Sequence, residues 1–363
     1  MRHLSVPSID SAAIFATLRD SNWIPMGTRI IPDPSDASRR LIPIIDTTPQ
    51  SITNEFPVIE AEQPKPPSQS YRDHLAKYLD DRIISQYSEL WPTRHEIIGD
   101  LILVKIPEEI MNYQSVIGQA MLHQHTRIRL VLRDDGVAGE YRVRQLIPLA
   151  ERVNSEFQTH FTTHPETLVQ VKESGIKYWT DPSKAYFSGR LSTEREGTIS
   201  SCFELSKHIG HKLRICDPYA GVGPALVHLL ATENLVEFAW GSDLNIDAVE
   251  LMKLNLKSYP NARIECTDAQ KIVENQELVG TFDVLLINIP HSIISHLPKV
   301  IPLLKENSPT LLRGWIVIDE TDISITQKEI AKMLPEFSTI DISIRRSYSS
   351  TQHLCRFEAK LNH

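Results

Sequence analysis

The sequence predicts an α/β protein: a Rossmann-like, mostly parallel sheet closed by an antiparallel C-terminal hairpin, preceded by a small N-terminal α+β domain and a middle α+β domain. Three observations carry this reading. From about residue 200, short apolar runs (LRICD, FAWGSD, ARIECTD, FDVLLIN, GWIVIDE) alternate with helical segments, the rhythm of parallel strands joined by crossover helices. The last two runs, STIDISIRRSY and HLCRFEAKL, are separated only by SSTQ, which leaves no room for a helix and implies an antiparallel pair. Upstream, PVIEAEQPKPPSQS at residues 57–70 sets four prolines among polar residues, which disfavours both helix and sheet and marks a spacer.

The elements follow in order. In residues 1–56, LSVP reads as a strand and SIDSAAIFATLRDSNW as a helix with Ser8 or Asp10 as its cap. The spacer 57–70 comes next. In residues 71–165, YRDHLAKYLDDRIIS has helical spacing, GDLILVKIP is a buried strand bounded by Gly and Pro, and EEIMNYQSVIGQAMLHQH is a helix. RIRLVLRDDGVAGEYRVRQLIPL then gives two strands about a DDGVAG turn. Residues 166–363 hold the large sheet.

Composition narrows the function classes. With 363 residues, 41% of them hydrophobic and 23% charged, the chain is of ordinary soluble globular type, long enough for two or three cores. Thirty-eight Lys+Arg against 46 Asp+Glu give a net charge of -8, which excludes a chain-wide basic surface that holds nucleic acid by charge alone. A local arginine cluster remains: Arg127, Arg129, Arg133, Arg142, Arg144 and Arg152. MRHLSVPSID has no apolar signal core, and no apolar run approaches the roughly 20 residues of a membrane span. A cytoplasmic monomer is expected. Cys202, Cys216, Cys266 and Cys355 are far apart, so buried, reduced thiols are expected rather than a zinc or disulfide framework.

The strongest local signal is Asp217-Pro218-Tyr219-Ala220-Gly221-Val222-Gly223-Pro224, between the strand LRIC and the helix ALVHLLATEN. Ligands of open α/β sheets sit at the carboxyl ends of strands, and two glycines let the backbone approach one closely. A dinucleotide fingerprint needs a third glycine where Leu226 stands, which disfavours a pyrophosphate but not an adenosyl group. Asp243-Leu244 ends the second strand, with the acid placed for ribose hydroxyls, and Asp268-Ala269 ends the third, beside an adenine edge. Three acidic strand ends point to S-adenosylmethionine as cofactor. No metal is expected.

The fourth strand ends in Asn288-Ile289-Pro290-His291, where an amide and a proline-stiffened carbonyl can read a nucleobase edge. His291 itself is expected at the surface. Upstream, in AYFSGRLSTER, Ser192 or Thr193 can cap a helix with Glu194 in its first turn. That leaves Arg190 and Arg195 unexplained. A carboxylate between two arginines is also what proton abstraction from a base requires.

Taken together, LSVP, IIGDLILVKIPEEI, GVAGEYRVRQL, AYFSGRLSTER, DPYAGVGP, NIP and RRSYSSTQH, in this order, resemble the archaeal and eukaryotic tRNA guanine-37 N1-methyltransferase family, of the class I S-adenosylmethionine-dependent fold, across nearly the whole chain. The resemblance implies an N-terminal domain that touches the tRNA outer corner, with the anticodon loop at the catalytic sheet. It implies Glu194 as general base, Tyr186, Arg190 and Arg195 in the neighbouring pocket, Arg195 also toward the cofactor, and Asn288 and Pro290 at the target base. Either Arg142 or Arg144 corresponds to the arginine that contacts that base. Gly189 and Glu196-Gly197 depart from the family pattern, which usually has proline and a further basic residue there.

The implied chemistry is in-line displacement at a sulfonium methyl, with Glu194 taking the guanine N1 proton and an arginine stabilising charge on O6. The target base must be splayed from its stack. Phosphate contacts are expected on the arginines of residues 127–152 and on Arg345-Arg346. The related wybutosine-type aminocarboxypropyl transfer is the alternative, as is methylation of a wyosine intermediate; Arg190 and Arg195 favour methyl transfer to guanosine. A nicotinamide oxidoreductase is disfavoured by Leu226, and a tRNA-binding protein without catalysis is supported only by the glycine departures.

Overall fold

The computed structural model describes residues 1–25, 28–63, 70–139, 141–335 and 338–361. The chain divides into two compact units, Met1–Gln86 and Tyr87–His363.

The first unit runs β1 (Arg2–Pro7), α1 (Ser11–Asp20), β2 (Ile31–Pro32), β3 (Arg39–Pro43), α2 (Gln50–Thr53), β4 (Val58–Glu60), α3 (Tyr71–Leu75) and α4 (Asp81–Gln86). Its antiparallel sheet has the order β2-β3-β1-β4, with the apolar β1 central. Leu4, Val6, Leu18, Ile42 and Ile44 form its core. The expected spacer begins too early: Val58 and Ile59, both strand formers, pair with Leu4 and His3. Residues 64–69 of that spacer lie outside the described residues. Asp10 takes the cap position of α1 without a side-chain bond, while Ser11 Oγ donates to Ser8 O at 2.8 Å. The helical stretch after residue 70 is two short helices rather than one.

The second unit begins with β5 (His95–Ile98), β6 (Leu101–Val104), α5 (Gln114–Gln124), β7 (Leu130–Ala138), β8 (Val143–Val153) and β9 (Glu156–Gln158), strands that form a sheet in sequence order. Only β6 and β7 are parallel in it. The hairpin β10 (Val169–Glu173) and β11 (Ile176–Thr180) leads to α6 (Ser192–Ile209).

The large sheet follows: β12 (Leu213–Asp217), α7 (Pro224–Ala231), β13 (Val236–Asp243), α8 (Ile246–Leu256), β14 (Ala262–Cys266), β15 (Val284–Ile287), α9 (Ile293–Val300), β16 (Thr310–Asp319), α10 (Ile323–Ala331), β17 (Thr339–Ser347) and β18 (Gln352–Leu361). Its order is β14-β13-β12-β15-β16-β18-β17. The first five are parallel, and β18 runs antiparallel to both neighbours. The order reverses between β12 and β15, so a ligand crevice opens at the carboxyl ends beside β12.

Strand alternation divides the core. Ile215, Val284 and Leu286 face one cluster; Cys216, Leu285 and Ile287 face the other. The first cluster also takes in Ile98, Leu101, Leu103, Leu130 and Leu132, so the five-stranded module and the large sheet share one core. Each such buried side chain contributes about 1.5–3 kcal/mol, enough to hold the two sheets in fixed register. Cys202, Cys216 and Cys355 are buried and Cys266 is exposed.

Candidate active site

The loop after β12 turns through Gly221 (φ +57°) and Gly223 (φ +80°), left-handed conformations that cost other residues energy. A Cβ on Gly223 would stand 2.8 Å from Met252 Cγ, so the glycine also lets the loop lie against α8. Ala220 N donates to Ser242 O and Gly223 N to Ala220 O, both at 2.9 Å, while Asn255 Nδ2 donates to Val222 O at 2.9 Å. Leu226, where a dinucleotide site needs glycine, is fully buried.

Carboxylates line the strand ends. Asp217 Oδ1 accepts from Tyr219 N at 3.3 Å, and Asp243 accepts from Gly221 N and Asn245 N, each at 2.9 Å. Burial, reinforced by the charge of Asp243, pushes Asp217 up to about 7 against the opposing Tyr219 N–H. Burial raises Asp243 as well. Asp268 accepts from Gln270 N at 2.9 Å and opens a short turn that buries Ala269. Tyr219 Oη lies 2.7 Å from His296 Nδ1, and Leu244 at the end of β13 stays exposed. Three carboxylates at successive strand ends repel a pyrophosphate but suit ribose hydroxyls, an adenine amine and a cationic donor. The residues present therefore fit S-adenosylmethionine.

Glu194 lies in the first turn of α6 and is 4% exposed. Leu191 occupies the cap position, and neither Ser192 nor Thr193 caps the helix. The arginines that flank Glu194 are not the expected Arg190 and Arg195. Arg345 Nε donates to Glu194 Oε1 at 2.5 Å, and Arg313 Nη2 lies 3.9 Å from Oε2. Arg345 reaches it because the β17–β18 pairing slips between Ile344 and Arg346, a bulge that turns the intervening side chain. Arg313, fully buried on β16, pairs through Nη1 with Glu358 and with Ser201 Oγ. A Cβ on Gly197 would stand 2.9 Å from Arg313 Nη2, so Gly197 makes room for this guanidinium.

Arg190 is exposed, and Arg195 is buried, about 100° round the helix from Glu194. Its guanidinium is bidentate to Glu173 on β10, at 2.8 and 2.6 Å, and His228 Nε2 lies 3.5 Å from the same carboxylate. Burial pushes Glu173 up, but hydrogen bonds from His228 and Arg195 and the Arg195 charge outweigh it and bring it down to about 2. Arg195 thus anchors the helix that presents Glu194.

The two candidate arginines, Arg142 in the β7–β8 turn and Arg144 at the start of β8, separate clearly. Arg144 is held by Glu96 at 2.8 Å and Asp134 at 2.7 Å, largely out of solvent. Arg142 is exposed, with φ +52°, and its Nη2 donates to Tyr348 Oη at 3.3 Å. Most of the expected phosphate-binding cluster is likewise engaged within the fold: Arg129 with Asp100 and Glu151, Arg133 with Asp135, Arg152 with the Ile128 carbonyl. Arg127 remains exposed.

After β15, Asn288 is exposed, while Pro290 O accepts from Val317 N at 3.0 Å. The Pro290 carbonyl is thus tied to β16. A Cβ on Gly221 would lie 3.9 Å from Tyr186 O, which sets the Tyr186 segment against the glycine loop.

Comparison with known proteins finds relatives in sequence and in fold. A family model described as the TYW2 N-terminal domain matches residues 75–150. The tRNA (guanine(37)-N(1))-methyltransferase Trm5b of Pyrococcus abyssi is 28% identical over 66% of this chain and 65% of its own length. The Trichomonas vaginalis tRNA (guanine(37)-N(1))-methyltransferase is 25% identical over 87% of this chain and 79% of its own. The crystal structure of Pyrococcus abyssi Trm5b superposes with a TM-score of 0.74 at 22% identity, and aTrm5 in complex with tRNALeu with 0.72 at 22%, each over the whole of both chains. At that identity the structural likeness is one of fold. The chain is similar to the Trm5 and TYW2 proteins in sequence and in fold.

Two sets of contacts involve the end of β17 and the turn after it: Arg345 with Glu194, and Tyr348 with Arg142 and His291. Arg313, Glu173 and Tyr348 were not singled out by the sequence. A lone arginine inside the apolar strand LLRGWIVI was a readable sign of a buried partner; the bulge that aims Arg345 left no such sign.

Proposed function

We propose that this protein transfers a methyl group from S-adenosylmethionine to N1 of guanosine 37 in tRNA, with Glu194 as general base. One observation carries the reading: beside a carboxylate-lined cradle at the strand ends, the first turn of α6 holds a buried carboxylate bonded by Arg345 and faced by Arg313. The activity named for the Pyrococcus abyssi and Trichomonas vaginalis relatives supports guanosine 37 as the substrate, and the aTrm5 complex supports tRNA as the partner.

When bound, S-adenosylmethionine supplies an electrophilic methyl on a sulfonium. Asp217, Asp243 and Asp268 are the side chains that would hold it, with Leu244 and Ala269 beside the adenine. Guanine N1 carries a proton at neutral pH and is a poor nucleophile until that proton leaves. Glu194 accepts the proton, its carboxylate oriented by Arg345 and Arg313. Arg142 donates to O6 as negative charge develops there, a contribution of about 3 kcal/mol for one such donor. Asn288 reads the base edge, with Tyr186 and Arg190 completing the pocket wall. In this reading the protein is a cytoplasmic monomer that grips the anticodon loop and the outer corner of tRNA.

The match at residues 75–150 to the TYW2 N-terminal domain favours a second reading, aminocarboxypropyl transfer from the same cofactor. Arg195 no longer separates the two, because it is bound to Glu173. Product analysis does. Methyl transfer from labelled S-adenosylmethionine to G37 and A37 transcripts is expected to give N1-methylguanosine on G37 alone; an aminocarboxypropyl product, or none, overturns the reading.

A further inference from the structure

We propose that Tyr348 is a positioning residue that holds Arg142 in place to meet the target base. The inference rests on the role given to Arg142 above. Arg142 sits on an exposed turn with left-handed backbone, and a long cationic side chain there samples many rotamers unless something restrains it. Its Nη2 donates to Tyr348 Oη at 3.3 Å, and Tyr348 Oη lies 3.1 Å from His291 Nε2. The Tyr348 and His291 rings meet edge to face with centroids 5.4 Å apart.

Three segments from different parts of the second unit thus converge: the β7–β8 turn, the loop after β15 and the β17–β18 turn. Arginine can only donate, so the tyrosine oxygen accepts from it, and the hydroxyl proton is free to be given to an unprotonated His291 Nε2. Burial and the nearby Arg142 charge lower His291, which favours that neutral imidazole. The same four-residue stretch of chain, Arg345 to Tyr348, supplies one side chain to Glu194 and one to Arg142. The C-terminal hairpin therefore orients both the proton acceptor and the charge stabiliser, which explains why its turn lies against the carboxyl edge.

A double-mutant cycle in the full-length protein tests this, with single-turnover methyl transfer at saturating tRNA and S-adenosylmethionine. Y348F keeps the ring against His291 and removes the acceptor. It is expected to slow transfer about five- to tenfold without changing tRNA affinity, while R142A slows it about a hundredfold. The combined variant is expected to match R142A alone, since Tyr348 acts only through Arg142. Equal slowing by Y348F in both backgrounds, or wild-type speed of Y348F beside a slow R142A, overturns the positioning role. Wild-type speed of R142A instead overturns the role of Arg142 itself, and the two failures are distinct.

Discussion

Arg345 Nε donates to Glu194 Oε1 at 2.5 Å, joining residues 151 positions apart in the chain. One is 38% exposed in its side chain and the other 5%, so the pair straddles the wall of the site. The buried Arg313 lies behind the second oxygen. One carboxylate oxygen is therefore held by a hydrogen bond while the other makes none, the arrangement expected of a group that accepts a proton at a single point.

Removing the outer guanidinium tests that orientation. R345A is expected to slow single-turnover methyl transfer about tenfold and to leave S-adenosylmethionine affinity by calorimetry unchanged, because the adenosyl cradle does not use Arg345. Loss of cofactor affinity would show that the pair supports the fold of the sheet edge rather than the base.

The anchor of α6 predicts a stability effect. Glu173 is held at about 2 in the folded chain, below the usual 4.5, so it contributes stability that is present above pH 4.5 and is lost as the pH falls through 2. E173Q leaves the buried Arg195 without a carboxylate. It is expected to cost about 3 kcal/mol at pH 7 in denaturant unfolding and to flatten the acid limb of the stability profile. An unchanged midpoint at pH 7 would contradict this.

Much of this architecture was legible in the sequence, and the exceptions have physical causes. The parallel sheet and its antiparallel closing hairpin were carried by apolar runs and connection lengths, which are local. The cofactor edge was legible because glycines and strand-end acids must occur at fixed offsets. The partners of Glu194 were not legible, because Arg313 and Arg345 come from distant strands, while its helix neighbour Arg195 pairs with Glu173. The choice between Arg142 and Arg144 depended on Glu96 and Asp134, partners brought in by sheet pairing. The early strand at Val58 was hidden by surrounding prolines, since its partner lies at the start of the chain.

Asp217 predicts the opposite pH dependence to Glu173. Its folded value of about 7 lies above the unfolded 3.8, so its contribution is fully present below pH 3.8 and is lost as the pH rises through 7. Up to about 4 kcal/mol is at stake across that window. Thermal melts of the cofactor-free protein are expected to fall more steeply from pH 5 to pH 8 in wild type than in D217N, whose neutral amide does not ionise. Parallel pH profiles would show that Asp217 is already ionised in the fold.

The central claim is that Glu194 takes the guanine N1 proton. Single-turnover methyl transfer to a G37 transcript by wild type and E194Q, with cofactor and tRNA affinity measured alongside, tests it most directly. E194Q keeps the shape of the side chain and its contact with Arg345, and is expected to bind both ligands normally while forming N1-methylguanosine at least a hundredfold more slowly. Wild-type speed in E194Q would contradict the assignment of the base.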